Sequence, residues 1–232
     1  VYKRQHKQGV LFHTDAVQAY GRIPLCVSEL DVDALSISAH KIHGPKGVGL
    51  LYRRRGVSIE PLLHGGAQER GYRAGTENVA GIVGFANAAK ALFETEGTKN
   101  SQALAFSSTT IQTIKAQVQL RNYLIEQLQA IPDVRINALS AQRLPGIVSA
   151  SFRGLSAETL LMCLDQVGIC VSAGSACASG SLEPSHVLVA MGLDPHWAQG
   201  TIRFSFSEQT TKEELDYALV HLKEIVERLR GV

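Results

Sequence analysis

Lys41 ends a short apolar run and stands between two histidines, in the stretch SAHKIHGPKGVG at 38–49. A lysine amine attacks a carbonyl carbon only after it has lost a proton, and desolvation or nearby positive charge promotes that loss. The end of an apolar strand, beside His40, suits a lysine that forms a Schiff base. The alternative, more common for a lysine taken alone, is a side chain whose charge stays in solvent while its methylene groups cover apolar surface.

A second stretch, HTDAVQAYG at 13–21, favours the chemical interpretation. Asp15 is predicted at the carboxyl end of a neighbouring strand, with Gln18 about one helical turn further on. Ligands of open α/β sheets bind at the carboxyl ends of strands, so we expect Asp15 and Lys41 to face one crevice. A carboxylate that pairs with a pyridinium nitrogen, together with a Schiff-base lysine, is the pattern of pyridoxal phosphate chemistry. Without the lysine, such an aspartate would more often cap a helix.

Several groups near these residues are suited to a phosphate. Ser38 and His40 flank Lys41 with a hydroxyl and an imidazole, and HGGAQERGYRAGTEN at 64–78 is a glycine-rich loop ahead of a predicted helix. Glycines let backbone N–H groups approach an anion, and Thr76 is predicted at the N-terminus of that helix, which also favours anions. A glycine-rich loop alone is usually only a turn.

The four cysteines are Cys26, Cys163, Cys170 and Cys177. No secretory signal pattern opens the chain, so free thiols are expected. The close C-x2-4-C pairs that zinc sites favour are absent, and no metal site is predicted. Cys163 and Cys170 lie in apolar surroundings and are predicted to be buried. Cys177, within SAGSACASGS, is predicted to be exposed and reactive; the alternative is an incidental surface cysteine.

Arg203, in TIRFS, is a fixed cation on a predicted strand. A guanidinium there suits a two-point contact with a carboxylate. The alternative is a surface salt bridge.

Composition bounds the class of protein. The chain has 232 residues, of which 45% are hydrophobic and 19% charged, with a net charge of +2. These values are typical of a globular protein of one or two domains and exclude a disordered chain. They give no reason to expect a membrane or a nucleic acid as partner, and a cytoplasmic location is the default expectation.

The first part of the chain, 1–96, is predicted to be an α/β layer. Strands are expected at 9–16, 33–38 and 48–53, and their continuous apolar runs predict a sheet buried on both faces. A helix is expected over 76–94, where apolar residues recur at helical spacing.

The second part, 114–232, is predicted to be a smaller α+β domain that carries the cysteine segment, after a linker or insertion at 97–113. The last helix opens with a capping box formed by Thr211 and Glu214. The other elements expected here are a helix near 114–130, the strands VRIN, GIVSASF, ICVS and TIRFSF, a helix AETLLMCLDQV that stops at Gly168, and a short helix EPSHVLVAMG.

Five motifs in this order resemble those of cysteine desulfurases of the NifS/IscS type, in the class-V aminotransferase group of fold-type I pyridoxal phosphate enzymes. They are HTDAVQAYG, SISAHKIHGPKGVG, HGGAQERGYRAGTEN, VSAGSACASGSLEPSHVL and TIRFSF. The resemblance runs from about residue 9 to the C-terminus, and the last cysteine segment is similar to the long-loop group of the family. It implies the C-terminal part of the large cofactor-binding domain at 1–96, followed by the small C-terminal domain.

The resemblance also implies roles for individual residues. Lys41 would hold pyridoxal 5'-phosphate covalently and move protons, and Arg203 would bind the carboxylate of the substrate L-cysteine. Cys177 would take the substrate sulfur as a persulfide, leaving L-alanine, and pass it to an iron–sulfur scaffold or a thiolation protein; that persulfide could briefly contact an iron–sulfur cluster. The remaining roles implied are a proton held on the ring nitrogen by Asp15, a hydrogen bond to the phenolic oxygen from Gln18, phosphate contacts from Ser38 and His40, and contact of Thr76 with the phosphate of the other subunit of a homodimer.

Family members carry an N-terminal segment with a phosphate-binding loop, a histidine that stacks on the ring, and an asparagine. This chain starts after those features, so we expect it to be a fragment of a longer enzyme, with impaired activity when isolated. Three alternatives stay open: a selenocysteine lyase, another class-V pyridoxal phosphate enzyme such as an aminotransferase, and an inactive fragment that keeps only the partner-binding fold. The thiol of Cys177 argues against transamination, which needs none.

Overall fold

The computed structural model describes residues 2–93, 105–174 and 185–231, which belong to two compact units, Val1–Ile111 and Gln112–Val232. The elements of the first unit are α1 (Tyr2–Lys7), β1 (His13–Asp15), α2 (Val27–Leu30), β2 (Ala34–Ser38), β3 (Gly49–Arg53) and α3 (Val79–Leu92). Helix α4 (Ser108–Gln129) starts at the end of that unit and leads into the second. The second unit continues with β4 (Val134–Ile136), β5 (Ile147–Phe152), α5 (Ala157–Asp165), α6 (His186–Ala190), α7 (Pro195–Ala198), β6 (Thr201–Ser205) and α8 (Lys212–Arg230).

The first unit is built on a sheet with the strand order β1–β2–β3. β1 runs parallel to β2, and β3 runs antiparallel to it. Along β2, Leu35 and Ile37 are buried and alternate with half-buried Ser36 and Ser38. The buried pair packs in a cluster that includes Phe85 of α3, so α3 covers one face of the sheet.

The expected strands and helix of the first unit are present, but two details differ. β1 has three residues rather than the eight predicted at 9–16. The prediction of a sheet buried on both faces does not hold at β3, where Leu50 and Leu51 are each about half exposed, at 49% and 50%. Within the part of the chain that the structure describes, β3 pairs only with β2 and α3 packs against only one face of the sheet, so Leu50 and Leu51 are left partly exposed.

Asp33 fixes the relative position of β1 and β2 at their amino ends. Its carboxylate accepts the N–H of Phe12 at 2.8 Å, and its own N–H donates to the Phe12 carbonyl at 2.9 Å. His6 of α1 lies 2.8 Å from the same carboxylate, and Arg54 lies 3.5 Å from its other oxygen. Mainly because of the Phe12 hydrogen bond, with His6 next, the pKa of Asp33 is lowered. The aspartate therefore stays ionised and keeps the two strands in register.

The second unit packs its helices on an antiparallel sheet of order β4–β5–β6. Its core includes the fully buried side chains of Phe152, Leu160 and Leu164, each of which stabilises the fold by about 1.5–3 kcal/mol relative to exposure. The capping box at α8 is confirmed: Thr211 Oγ1 accepts the N–H of Glu214, and Glu214 Oε2 accepts the N–H of Thr211.

Two sequence expectations in the second unit need correction. The helix predicted near 114–130 begins earlier, at Ser108. The predicted strand ICVS is not a strand: it contributes a single bridge, between Ser172 and Arg203. Residues 97–104 of the predicted linker lie outside the described residues.

Candidate active site

Asp15 and Ser38 are the last residues of two parallel strands. In the register of the pair, Asp15 stands opposite Ser36, and the N–H of Ala16 donates to the Ser36 carbonyl at 2.9 Å. The turn that carries Lys41 follows Ser38 directly. Asp15 and the turn that carries Lys41 therefore lie at the same edge of the sheet, as the parallel pairing requires. That their side chains face one crevice stays a prediction.

The Asp15 carboxylate is exposed, and one of its oxygens accepts a backbone hydrogen bond. Oδ1 accepts the N–H of Val17 at 2.8 Å, so the residue caps the turn that follows β1. Within the described residues no hydrogen bond reaches Oδ2. The capping role and the chemical role considered for this aspartate are thus compatible. Gln18 lies exposed in the same turn.

Lys41 lies in a short 3-10 turn, Ala39–Ile42, whose first and last residues are buried in the core. Ala39 and Ile42 are buried, whereas Lys41 is half-buried. The turn closes at His43, which adopts a left-handed conformation (φ 64°, ψ 16°), and Gly44 donates its N–H to the Ala39 carbonyl at 2.9 Å. Among the residues that the structure describes, none forms an ion pair or hydrogen bond with the Lys41 amine. The amine is carried by a turn whose neighbouring residues Ala39 and Ile42 are buried.

Ser38 and His40 contact each other across this turn. The Ser38 hydroxyl lies 2.6 Å from Nδ1 of His40, and which group donates depends on the histidine tautomer. The pair presents a hydroxyl and an imidazole at the same strand end as Lys41. A hydroxyl and an imidazole N–H are both suitable donors to a phosphate oxygen.

Helix α3 reaches the loop that follows Lys41. A Cβ built at Gly84 would lie 2.9 Å from Cγ of Pro45, so the helix backbone lies against that loop. The N-cap of α3 is Asn78, whose Oδ1 accepts the N–H of Gly81 at 3.0 Å. This corrects the expectation that Thr76 stands at the helix N-terminus: Thr76 is exposed and precedes the cap by two residues.

Arg203, in the second unit, occupies the middle of β6 beside Ser172. Its N–H donates to the Ser172 carbonyl at 2.7 Å, and the Ser172 N–H donates back at 3.2 Å. The side chain is half-buried, and its buried Nε has no hydrogen-bond partner within the described residues. A buried guanidinium N–H without an acceptor costs free energy, which a bound carboxylate would recover.

Cys177 lies outside the described residues, so its predicted exposure stays a prediction. The described residues on either side of its segment approach each other: a Cβ at Gly174 would lie 4.0 Å from Cβ of Ser185. Of the other thiols, Cys163 is half-buried, and Cys170 is exposed rather than buried as predicted. Cys170 follows Gly168, where the chain leaves α5, and its apolar sequence neighbours do not cover it.

The residues at the β1–β2 edge form a donor set that fits pyridoxal phosphate. An unpartnered amine can bind an aldehyde, a carboxylate oxygen without a partner can face a ring nitrogen, and the Ser38–His40 pair can face a phosphate. Thr76 and Arg203 are not part of this cluster within the first unit: Thr76 lies on a separate loop, and Arg203 belongs to the second unit.

Comparison with known proteins identifies the family. The model of the family described as aminotransferase class-V matches residues 1–218, which include Lys41, Asp15, Cys177 and Arg203. The chain belongs to the class-V aminotransferase family. Enzymes of this family are in general dependent on pyridoxal phosphate.

Individual proteins of known name or structure resemble the chain more specifically than the family model does. The chain is 48% identical over 232 residues to a protein named cysteine desulfurase from Nostoc sp., a match that covers 99% of this chain and 54% of that protein. A solved NifS-like protein shares 40% identity with a TM-score of 0.77, over 99% of this chain and 55% of the other. A solved structure described as SspA in complex with cysteine shares 29% identity with a TM-score of 0.63, over 90% and 54%. The chain thus spans about half the length of the curated relatives that it matches.

Two residues with structural roles near the site escaped the sequence interpretation. The sequence pattern predicts Asp33 only as the start of a strand, yet its bonds to Phe12 help to set the register that aligns Asp15 with the Lys41 turn. Asn78 directly precedes the segment with helical periodicity, and asparagine is one of the residues preferred at a helix N-cap.

Proposed function

We propose that the protein is a pyridoxal phosphate-dependent cysteine desulfurase, which removes sulfur from L-cysteine to give L-alanine and a persulfide on Cys177. The observation that carries the proposal is the 48% identity to a cysteine desulfurase across nearly the whole chain. The parallel β1–β2 pair, which brings Asp15 and the Lys41 turn to one edge, supports it independently.

The residues at that edge have distinct tasks toward the cofactor. Bound pyridoxal phosphate withdraws electrons from the amino acid joined to it, which weakens the bonds of that amino acid. Lys41 would hold the aldehyde of the cofactor, and its amine would carry protons. Asp15 holds a proton on the ring nitrogen through its unpartnered oxygen, and Gln18 hydrogen-bonds the phenolic oxygen. Ser38 and His40 bind the phosphate.

Substrate and sulfur are handled by the second unit. The guanidinium of Arg203 binds the carboxylate of L-cysteine, and its unpartnered buried Nε favours an anionic ligand. The Cys177 thiolate would attack the sulfur of L-cysteine: an S–S bond forms as the C–S bond breaks, the electron pair of that bond stays with the carbon, and the carbon takes up a proton to complete L-alanine. The solved cysteine complex of a related protein is consistent with this substrate.

The partners proposed are a second copy of the chain and a sulfur acceptor. In a homodimer, Thr76 would contact the phosphate bound by the other subunit, and its exposure on a loop is compatible with that. The acceptor would be an iron–sulfur scaffold or a thiolation protein. We assign the protein to the cytoplasm, a reducing compartment in which Cys26, Cys163 and Cys170 would stay free as observed. No helix within the described residues is both long and apolar enough to cross a membrane.

Mass spectrometry of the Cys177 peptide tests the proposal. The full-length protein, of which this chain is expected to be a part, is loaded with pyridoxal phosphate, incubated with L-cysteine and alkylated, with the Cys177→Ser and Lys41→Ala variants as controls. We expect one extra sulfur on Cys177, equimolar L-alanine, and neither product in Lys41→Ala. L-Alanine without a modified Cys177 would indicate a lyase of another kind. If a cofactor-loaded protein gives neither product, the desulfurase proposal is wrong.

A further inference from the structure

We propose that Gln68 is a positioning residue that clamps the loop 63–75 and thereby presents Thr76 to a phosphate group. The inference rests on the proposed function, because it assumes that Thr76 contacts the phosphate of pyridoxal phosphate. Gln68 itself is not placed against the cofactor: it acts through the backbone of Gly75, the residue immediately before Thr76.

The clamp is a hydrogen bond between a side chain and the backbone across the loop. The Gly75 N–H donates to Oε1 of Gln68 at 3.1 Å, seven residues away along the chain. At the preceding residue, the Ala74 N–H donates to the Leu63 carbonyl at 3.3 Å, and this bond joins the two ends of the loop. Gly75 has a φ of +110°, which a residue with a side chain rarely adopts. Together these bonds set the direction in which the chain enters Thr76.

The turn that carries Gln68 holds an unfavourable backbone. Glu69 (φ 49°) and Arg70 (φ 59°) are successive non-glycine residues in the left-handed region, followed by Gly71 at φ 81°. Such conformations cost free energy and persist only where surrounding contacts hold them. Within the turn, Gly71 and Tyr72 donate N–H groups to the carbonyls of Ala67 and Glu69, and the Gln68 clamp attaches the turn to Gly75 at the end of the loop.

Gly66 leaves room for the clamp. A Cβ at this position would lie 2.9 Å from Nε2 of Gln68 and closer still to Oε1. The φ of Gly66 is not in the left-handed region, so an alanine there would be acceptable for the backbone itself. What Gly66→Ala must displace is the Gln68 carboxamide. The Gly66→Ala variant should therefore reproduce the loss of the clamp without touching Gln68.

The first measurement is hydrogen exchange at the Gly75 amide. In Gln68→Met, which keeps the side-chain length but lacks a strong acceptor, we expect exchange about fivefold faster than in the wild type. Gln68→Glu keeps an acceptor, so its Gly75 amide should stay protected. Gly66→Ala should match Gln68→Met, and the double variant should be no faster than either single variant, because both remove the same bond.

The second measurement, made on the full-length protein in its dimeric state, compares the binding of pyridoxal phosphate with that of pyridoxal, which lacks the phosphate. If the clamp positions Thr76, Gln68→Met loses about fivefold in affinity for pyridoxal phosphate and nothing for pyridoxal. A variant that merely destabilised the protein would weaken both ligands equally. Thr76→Val serves as the reference for complete loss of the Thr76 contact, and Gln68→Met should add little to it.

The outcomes separate the two proposals. If the wild type binds neither ligand, or binds both equally, the cofactor assignment fails, and the role of Gln68 falls with it. If the wild type prefers pyridoxal phosphate and Gln68→Met keeps that full preference, the role of Gln68 alone is wrong. Unchanged Gly75 exchange in Gln68→Met would show that the clamp itself does not hold the loop.

Discussion

The turn that carries Lys41 depends on the absence of a side chain at Gly44. A Cβ there would lie 2.9 Å from both Cβ and the carbonyl oxygen of Ala39. Ala39 is completely buried, so it cannot move aside. Forcing an added methyl group into such a packed site costs about 2 kcal/mol. We therefore predict that Gly44→Ala destabilises the first unit by about that amount.

Hydrogen exchange is the suitable assay, because the only tryptophan, Trp197, lies in the second unit. A loss of about 2 kcal/mol corresponds to exchange about 30-fold faster at the protected amides of β2. Amides of β5, in the second unit, should be unchanged. Gly44 also lies three residues from Lys41, so reductive attachment of pyridoxal phosphate to Lys41 by borohydride should fall in the same variant.

A matched control separates the steric clash from backbone strain. Gly47 is in the same loop and has a φ of +79°, but a Cβ there would meet nothing within 4 Å. Gly47→Ala should cost only about 1 kcal/mol, from the left-handed conformation, with attachment at Lys41 retained. If Gly44→Ala leaves β2 exchange at the wild-type rate, or if Gly47→Ala is the more damaging variant, the close packing of Gly44 against Ala39 does not stabilise the Lys41 turn.

Three further predictions test other parts of the molecule. Arg203→Met should lower kcat/KM for L-cysteine about 30-fold, because a charged contact with the substrate is lost. The unfolding midpoint should not fall, because the buried Nε of Arg203 has no hydrogen-bond partner among the described residues. A lower midpoint with normal kinetics would contradict this. Thr211→Ala should cost the second unit about 1 kcal/mol through loss of the α8 cap, read from Trp197 fluorescence in urea; an unchanged midpoint would be the contrary result. The pKa of His6 is raised, chiefly by its hydrogen bond to Asp33. The stability that His6 contributes is therefore complete below its ordinary pKa of 6.5 and is lost as pH rises through the raised value. His6→Gln should abolish that loss, measured by hydrogen exchange at β2 amides on either side of neutrality.

The placement of Asp15 and of the Lys41 turn at one strand edge was predictable from the positions of these residues in the sequence. Asp15 and Lys41 each follow an apolar run, and parallel strands bring such ends to one edge whatever lies elsewhere in the chain. The α8 capping box was predictable for the same reason, since Thr211 and Glu214 are three residues apart and satisfy each other. In both cases the positions of the residues in the sequence are enough to predict which groups lie together.

The expectations that failed depended on distant parts of the fold. The apolar stretch around Cys170 is compatible with a buried strand, and only the tertiary structure shows that it forms a single bridge beside β6 and leaves the thiol exposed. The apolar residues Leu50 and Leu51 similarly read as buried, although only one face of the sheet is covered by α3. Burial of a strand is decided by what packs over it, which a local pattern does not contain.

The site combines supports of unequal strength, and this determines how it should respond to damage. Lys41 and Asp15 are presented by strand ends whose register is fixed at the opposite end by the buried Asp33, so their placement is tied to the core of the first unit. Thr76 instead follows a loop closed by the Gln68 side chain and one backbone hydrogen bond. Conditions that loosen surface loops without unfolding the sheet, such as low denaturant, should therefore weaken phosphate recognition before they impair the reactivity of the Lys41 amine.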